Sequence, residues 1–413
     1  MNIFGNRRGY TLGAAVSVVL AGVVFGLSCP AFAQSTNLVY VESNIGSVPD
    51  MNSVFVFSND GAGNLTQISG SPFLTSGTGW YDPDLDTSSV DTDNPVIIDP
   101  TGTYLYAVNA NSDTVSEFTI GAGGPLTLIT NPPFASGGKE PDSLSLSAKA
   151  LNNGYSVLSI ANKDQDPNQD GGTPSIRTAH INGAGTMTQV AGGKIGFDSG
   201  DYLGSVNTTP LAPHLMFAIQ LLGADVSQIL SYKIVSVGKM QQVSFTGSPM
   251  PGEQMLGMAF HPTQHVMYVG IPSANEIAVY TYNPQGVLTL VTTVPNMGQE
   301  PCWFAENSAG TRLYSVESKG GTVSVYDTTT ATAPAQLAHL TLSNQPQSAT
   351  EVAIDPTGNF LYVLGVPTAN EMGSPYLHVF SITAGTPYLA ELNPVLLNVP
   401  PLEHPQGLAI LLK

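Results

Sequence analysis

The sequence predicts an all-β chain folded as a seven-bladed propeller of four-stranded antiparallel blades. Three observations carry that expectation. A strand–turn–strand motif recurs along the chain, its copies stand about 50 residues apart, and a strand missing at one end is matched by a spare one at the other.

Residues 96–108 read VIIDPTGTYLYAV and residues 352–364 read VAIDPTGNFLYVL, an apolar strand, a four-residue turn and a second apolar strand in each. Asp99-Pro100-Thr101-Gly102 and Asp355-Pro356-Thr357-Gly358 suit a type I turn. The aspartate accepts a backbone hydrogen bond, the proline presets φ, and the glycine relieves strain at the last position. Residues 258–269 (MAFHPTQHVMYV) keep a His-Pro version, and residues 303–316 (WFAENSAGTRLYSV) keep the glycine and the Leu-Tyr strand. Degenerate copies begin near Ser143 and Leu211. After each Leu-Tyr strand come a polar loop, a third strand such as residues 114–120, and a glycine-led fourth such as 126–129. Alternating runs of this length are half-buried antiparallel strands.

Units begin near residues 38, 96, 143, 211, 257, 302 and 351, which makes seven. The first, LVYV at 38–41, lacks an inner strand, and the C-terminus carries a spare one at 407–412. The terminal strand is expected to complete the first blade and close the ring, protecting edges that would otherwise be open. An open β-solenoid or a pair of sandwiches also offers short strands, but explains neither irregularity.

Residues 1–33 read as a signal peptide: Arg7 and Arg8, an apolar run from Leu12 to Leu27, then Ala31-Phe32-Ala33 for cleavage. The domain is then 34–413, a single propeller. The alternative, a lipoprotein acylated at Cys29, lacks the aliphatic residue it needs at Gly26. Export to the periplasm or the extracellular space is expected, with no membrane span in the mature chain. Cleavage leaves Cys302 as the one cysteine, so no intramolecular disulfide holds the fold. It also removes two bases and no acids, taking the formal charge from −18 to about −20. Such a surface repels nucleic acid and anionic lipid. The chain is expected to be a monomer.

The Asp-Pro-Thr-Gly-x-x-Leu-Tyr pattern, the segment Gln299-Glu-Pro-Cys-Trp303 and the closing His404-Pro-Gln-Gly-Leu-Ala-Ile410 resemble the lactonase-type (6-phosphogluconolactonase-like) propellers. The resemblance implies the seven-bladed fold and a lactone hydrolase or isomerase using His, Glu and Arg at the central channel. The chain departs from that pattern. Residues 139–144 read KEPDSL where a Pro-His pair is expected, and residues 253–257 read EQMLG where relatives carry an Arg-His pair. Past the leader the arginines are Arg177 and Arg312, both placed by pattern in ordinary strands. A phosphorylated sugar acid would meet little positive charge, so 6-phosphogluconolactone is not the expected substrate.

In a propeller, loops running from one blade's outer strand to the next blade's inner strand gather around the channel mouth. Here they carry Asp93, Glu140, Glu253, Glu300, Glu351 and Glu403. Carboxylates gathered at one rim raise one another's pKa or hold a hard cation, and otherwise form a solvated polar rim. Glu300 and Glu253 are the first candidates for catalysis, with His404 as a base. Asp164, Asp166, Asn168 and Asp170 place oxygens at alternate positions, as calcium loops do, although Gln169 and Ser175 break the EF-hand pattern. A calcium ion is the one cofactor this loop suggests; an exposed insertion is its other reading. The Asp82–Asp93 stretch is similar but weaker. Two functions follow: a lactone hydrolase or isomerase acting at the channel mouth, or a non-catalytic propeller presenting its loops to a glycan, envelope component or protein.

Overall fold

The computed structural model describes residues 37–80, 93–148, 154–164, 173–212, 214–222, 226–235, 237–368 and 373–413. The signal-peptide reading, Cys29, Asp82 to Asp91, and Asp166, Asn168 and Asp170 lie outside the described residues. Among the described residues no helix is long and apolar enough to cross a membrane.

Seven antiparallel sheets form the blades. Their inner strands are Leu408–Leu412 for blade 1, then Val96–Ile98, Pro141–Ser147, Asp201–Thr208, Leu256–Phe260, Gln299–Glu306 and Gln347–Ile354 for blades 2 to 7. Each inner strand touches the next around the whole circle, including blade 7 with blade 1. The ring closes as the strand count requires: Leu408–Leu412 pairs antiparallel with Asn37–Glu42, with Tyr40 opposite Ala409 and Leu38 opposite Leu411.

The core lies between blades. Seven large apolar clusters fill the seven junctions; Leu38, Tyr40 and Val56 of blade 1, for instance, pack on Leu105, Ala107 and Phe118 of blade 2. Middle strands are therefore covered on both faces, and Phe360–Pro367 is buried at every residue. Alternation survives only toward the outer edge, as in Met187–Gly196. The half-buried pattern expected of all strands fails in the middle ones because blades stack face to face.

The recurring tyrosine latches one blade to the next. The hydroxyl of Tyr40 donates to the Gly124 carbonyl at 3.2 Å, that of Tyr106 to Gly185 at 3.0 Å, and that of Tyr268 to Ala331 at 2.9 Å. The turns follow their chemistry too. Asp99 accepts the N–H groups of Thr101, Thr103 and Tyr104, and in the His-Pro variant Nδ1 of His261 accepts those of Thr263 and Gln264. In the fourth repeat Leu211 falls in the turn after the inner strand; the strand itself, DYLGSVNT, has no Asp-Pro turn behind it to mark it.

Candidate active site in the central channel

Asp93 stands three residues before the inner strand of blade 2, on a chain segment lashed to blade 3. Its carbonyl accepts the Ser143 hydroxyl at 2.5 Å, and the Asn94 carbonyl accepts the Leu144 N–H at 3.1 Å. The side chain runs inward. Its Oδ2 accepts the N–H of Met258, on the inner strand of blade 5, at 2.9 Å. The Ser205 hydroxyl of blade 4 stands beside it without closing a hydrogen bond of standard geometry. The charge of Asp93 is also felt by Glu351, on the inner strand of blade 7. A group that reaches four inner strands around a ring lies on its axis.

Glu351 is a strand residue, set just past a β-bulge in Gln347–Ile354, so it sits below the rim loops in which the sequence placed it. Asp93 is 6% exposed and Glu351 7%. Burial pushes the Asp93 carboxyl up to about 7, against the opposing pull of the Met258 N–H and Ser205. Burial, then repulsion from Asp93, holds Glu351 well above the usual carboxylate range. Two carboxyl groups sharing a dry space do not both ionise at neutral pH, and their protons belong to the pair. Oε1 of Glu351 accepts the N–H of Val352, while Oε2 is buried without a hydrogen-bond partner among the described residues. The pair thus joins an ionisable carboxylate to a protonated neighbour that has an oxygen to spare, the complement general acid–base chemistry needs.

The rim acids are distributed among separate tasks. Glu253 accepts the Ser273 hydroxyl, and the N–H of Glu300 donates to Asn275 at 2.9 Å, so both flank the turn 272–275 at the top of blade 5. Glu300 also accepts the Ser318 hydroxyl at 3.0 Å and faces Lys319 at 3.9 Å. Glu403 is 2% exposed and clamps the loop after the first strand, accepting the N–H groups of Gly46 and Ser47 at 3.0 Å each. His404, next to it, has its basicity lowered by burial. No hydrogen bond or ion pair joins His404, Glu253 and Glu300 to one another among the described residues.

Glu140 is fully buried at a left-handed backbone position (φ 55°), its N–H held by Asp113 at 2.9 Å. Its neighbour Asp142 is equally buried, its carboxyl near the N–H groups of its own residue and Ser143 without closing hydrogen bonds of standard geometry. Burial raises the Asp142 pKa, with Lys163 opposing and Glu140 adding to the rise. Asp164 titrates above its ordinary range through burial and then Asp113, with Lys139 and Lys194 pulling the other way. Among the described residues no group of three or more His, Cys, Asp or Glu is arranged to hold a metal ion. Cys302 is buried, its sulfur 3.7 Å from the Ser318 hydroxyl.

Sequence reasoning missed Ser143, Ser205 and the Met258 N–H, which position Asp93, and it missed Asp142. The bulges in the inner strands of blades 3, 4, 5, 6 and 7 turn particular residues toward the axis, and alternation alone does not reveal them.

Residues 222–342 match the family described as lactonase, 7-bladed beta-propeller. A putative 6-phosphogluconolactonase from Bacteroides fragilis is similar in structure, with 17% identity and a TM-score of 0.65 over 93% of this chain and 100% of that one. The periplasmic gluconolactonase of Pseudomonas aeruginosa shares 16% identity and a TM-score of 0.68, over 91% and 99%. A hypothetical selenium-binding protein from Sulfolobus tokodaii, 9% identical over 92% and 94% with a TM-score of 0.59, has a similar fold. No curated protein sequence matches the chain. With the lactonase match lying across blades 4 to 6 and all seven blades in place, this chain is a seven-bladed β-propeller with a stretch similar to the lactonase family.

Proposed function

We propose that the chain is an exported lactone hydrolase whose acid–base centre is the Asp93–Glu351 pair. The observation that carries this reading is the burial of two interacting carboxyl groups at the channel, one of them titrating at about 7. Ionised Asp93 takes a proton from a water molecule as its oxygen bonds to the lactone carbonyl carbon. Glu351, protonated, gives its proton to the ring oxygen as the ring C–O bond breaks. The product is one hydroxy acid, and the proton taken by Asp93 returns to Glu351 or to solvent.

The substrate is an uncharged ring. A formal charge of −18, and a channel centre made of carboxyl groups, repel a phosphorylated substrate. The similar gluconolactonase acts, by its name, on a lactone that carries no phosphate. Glu253, Glu300 and His404 meet the substrate at the mouth, where the buried imidazole stays neutral and accepts a hydrogen bond. The leader-like residues 1–33 support export.

The test is hydrolysis of glucono-δ-lactone by residues 34–413, beside Glu351→Gln and Glu300→Gln. Glu351→Gln should lower kcat/KM at least ~100-fold, and Glu300→Gln should act mainly on KM. One observation favours the non-catalytic reading, in which Asp93 is structural alone: it ties blades 3 and 5 together. In that case the wild-type chain hydrolyses no lactone faster than buffer does.

A further inference from the structure

The turn between the third and fourth strands of blade 3 reads Asn182-Gly183-Ala184-Gly185-Thr186. Oδ1 of Asn182 accepts the N–H of Ala184 at 2.8 Å and that of Thr186 at 3.1 Å, and the Asn182 carbonyl accepts the N–H of Gly185 at 3.1 Å. The side-chain carbonyl is thereby folded back over the peptide that follows it. The N–H of Gly183 itself makes no hydrogen bond among the described residues, and a Cβ on Gly183 would meet nothing within 4 Å. An unblocked backbone nitrogen thus follows, in the chain, a side-chain carbonyl whose oxygen is already held by two N–H groups. Donors so placed stabilise the oxyanion that forms when a nucleophile adds to that carbonyl.

Two sister turns isolate what is particular to this one. The same place is held by Asp60-Gly61 in blade 1 and by Asn283-Pro284 in blade 5. Oδ1 of Asp60 accepts the N–H groups of Ala62 at 2.8 Å and Asn64 at 3.1 Å, and Oδ1 of Asn283 accepts those of Gln285 and Val287 at 3.0 Å each. An aspartate therefore fills the position with the same bonds. A proline in the next place keeps the turn but has no N–H to lose. Of the three, blade 3 alone joins a side-chain amide to a following residue with a free N–H and no side chain to shield it. The chain's other Asn-Gly pair, at 153–154, has its asparagine outside the described residues.

The same turn receives the tyrosine latch from blade 2. The Tyr104 hydroxyl donates to the Gly183 carbonyl at 2.9 Å and the Tyr106 hydroxyl to the Gly185 carbonyl at 3.0 Å. The fit is close, since a Cβ on Gly185 would stand 2.4 Å from the Tyr104 ring. We propose that Asn182 is a site of spontaneous covalent modification whose product loosens the junction of blades 2 and 3. The Gly183 nitrogen bonds to Cγ of Asn182 while the Ala184 and Thr186 N–H groups hold the oxyanion. The Cγ–Nδ2 bond then breaks, and the proton from Gly183 passes through water to the departing nitrogen, which leaves as ammonia. Water opens the resulting five-membered imide at either carbonyl. Breaking the new Cγ–N bond gives aspartate, which the Asp60 turn accommodates. Breaking the original backbone C–N bond gives isoaspartate, which puts an extra carbon into the backbone and displaces the two carbonyls the tyrosines hold.

The experiment holds the folded mature chain at mildly alkaline and at mildly acidic pH, then maps its peptides by mass for amide-to-acid conversion and for isoaspartate. Conversion at Asn182 should outpace that at every other described asparagine by at least ~10-fold and run faster in alkali. The aged chain should melt ~2 °C below the fresh one, the loss expected for two hydrogen bonds. Gly183→Pro, which copies the blade 5 turn and removes the nucleophile's proton, should convert at neither pH and keep its melting temperature. Gly183→Val, which crowds the same nitrogen, gives the comparison again if the proline variant does not fold. Fresh Asn182→Asp should melt with fresh wild type. The proposal is overturned if Asn182 stays intact, if the converted chain melts with the fresh one, or if the aged glycine variants lose as much as aged wild type. None of these readouts uses turnover, so none bears on the channel chemistry.

Discussion

In the proposed mechanism Asp93 combines two demands that pull against each other: it stays buried where it accepts the Met258 N–H, and it must ionise to act as a base. Its raised pKa has a consequence for stability. From about pH 4 to about pH 7 the unfolded chain has already released a proton that folded Asp93 retains. Stability therefore falls as pH climbs through that window and levels off above it. Asp93→Asn removes this cost while keeping an oxygen for the Met258 N–H. The variant should match wild type near pH 4.5 and exceed it by roughly 2–4 kcal/mol at pH 8, as read by denaturant unfolding. A gap that is constant with pH, or that opens toward acid, would contradict the assignment. Asp93 and Glu351 are legible in the sequence as acids near inner strands. Their depth is not, because it depends on a bulge in blade 7 and on the segment before blade 2 bending across to blade 3.

The strands show why some repeats are easier to read than others. Blades 2 and 7 carry the full Asp-Pro-Thr-Gly turn, in which Asp99 collects three N–H groups and Asp355 two, so the residues that make the turn are plain in the sequence. Blade 4 turns instead on Thr209, whose hydroxyl accepts the N–H of Leu215 and donates to the Leu211 carbonyl. That solution leaves no proline or aspartate to see, and the repeat reads one strand late. The closing strand was legible because an absence and a surplus had to match. Leu408–Leu412 adds a fourth strand to blade 1 and packs Ala409 and Leu411 into the junction with blade 2. Deleting residues 408–413 should lower the melting temperature by more than ~10 °C and broaden the transition, since it exposes the edge of Asn37–Glu42 along the channel. A sharp transition at the wild-type temperature would mean that the ring holds without its latch.

At the scale of the molecule, seven junctions of apolar side chains and tyrosine latches supply a rigid frame with a narrow axis. The frame's regularity explains why the fold could be read from sequence and the chemistry could not. Blade-to-blade packing repeats, whereas the site is made from the places where repeats differ, Asp93, Ser205, Gly257 and Glu351 among them. Gly257 illustrates the difference: it has φ +67°, and a Cβ there would lie 1.8 Å from the Cys302 carbonyl, so the inner strands of blades 5 and 6 meet as closely as backbone allows. The central claim is that the carboxyl pair on this axis opens a lactone ring by acid–base exchange. Its most direct test is the pH profile of kcat/KM for glucono-δ-lactone in wild type and Asp93→Asn. The expected wild-type profile is a bell whose acid limb has its midpoint near 7, and in Asp93→Asn that limb disappears along with most of the rate. An Asp93→Asn enzyme that keeps the wild-type rate and the same acid limb would place the chemistry elsewhere.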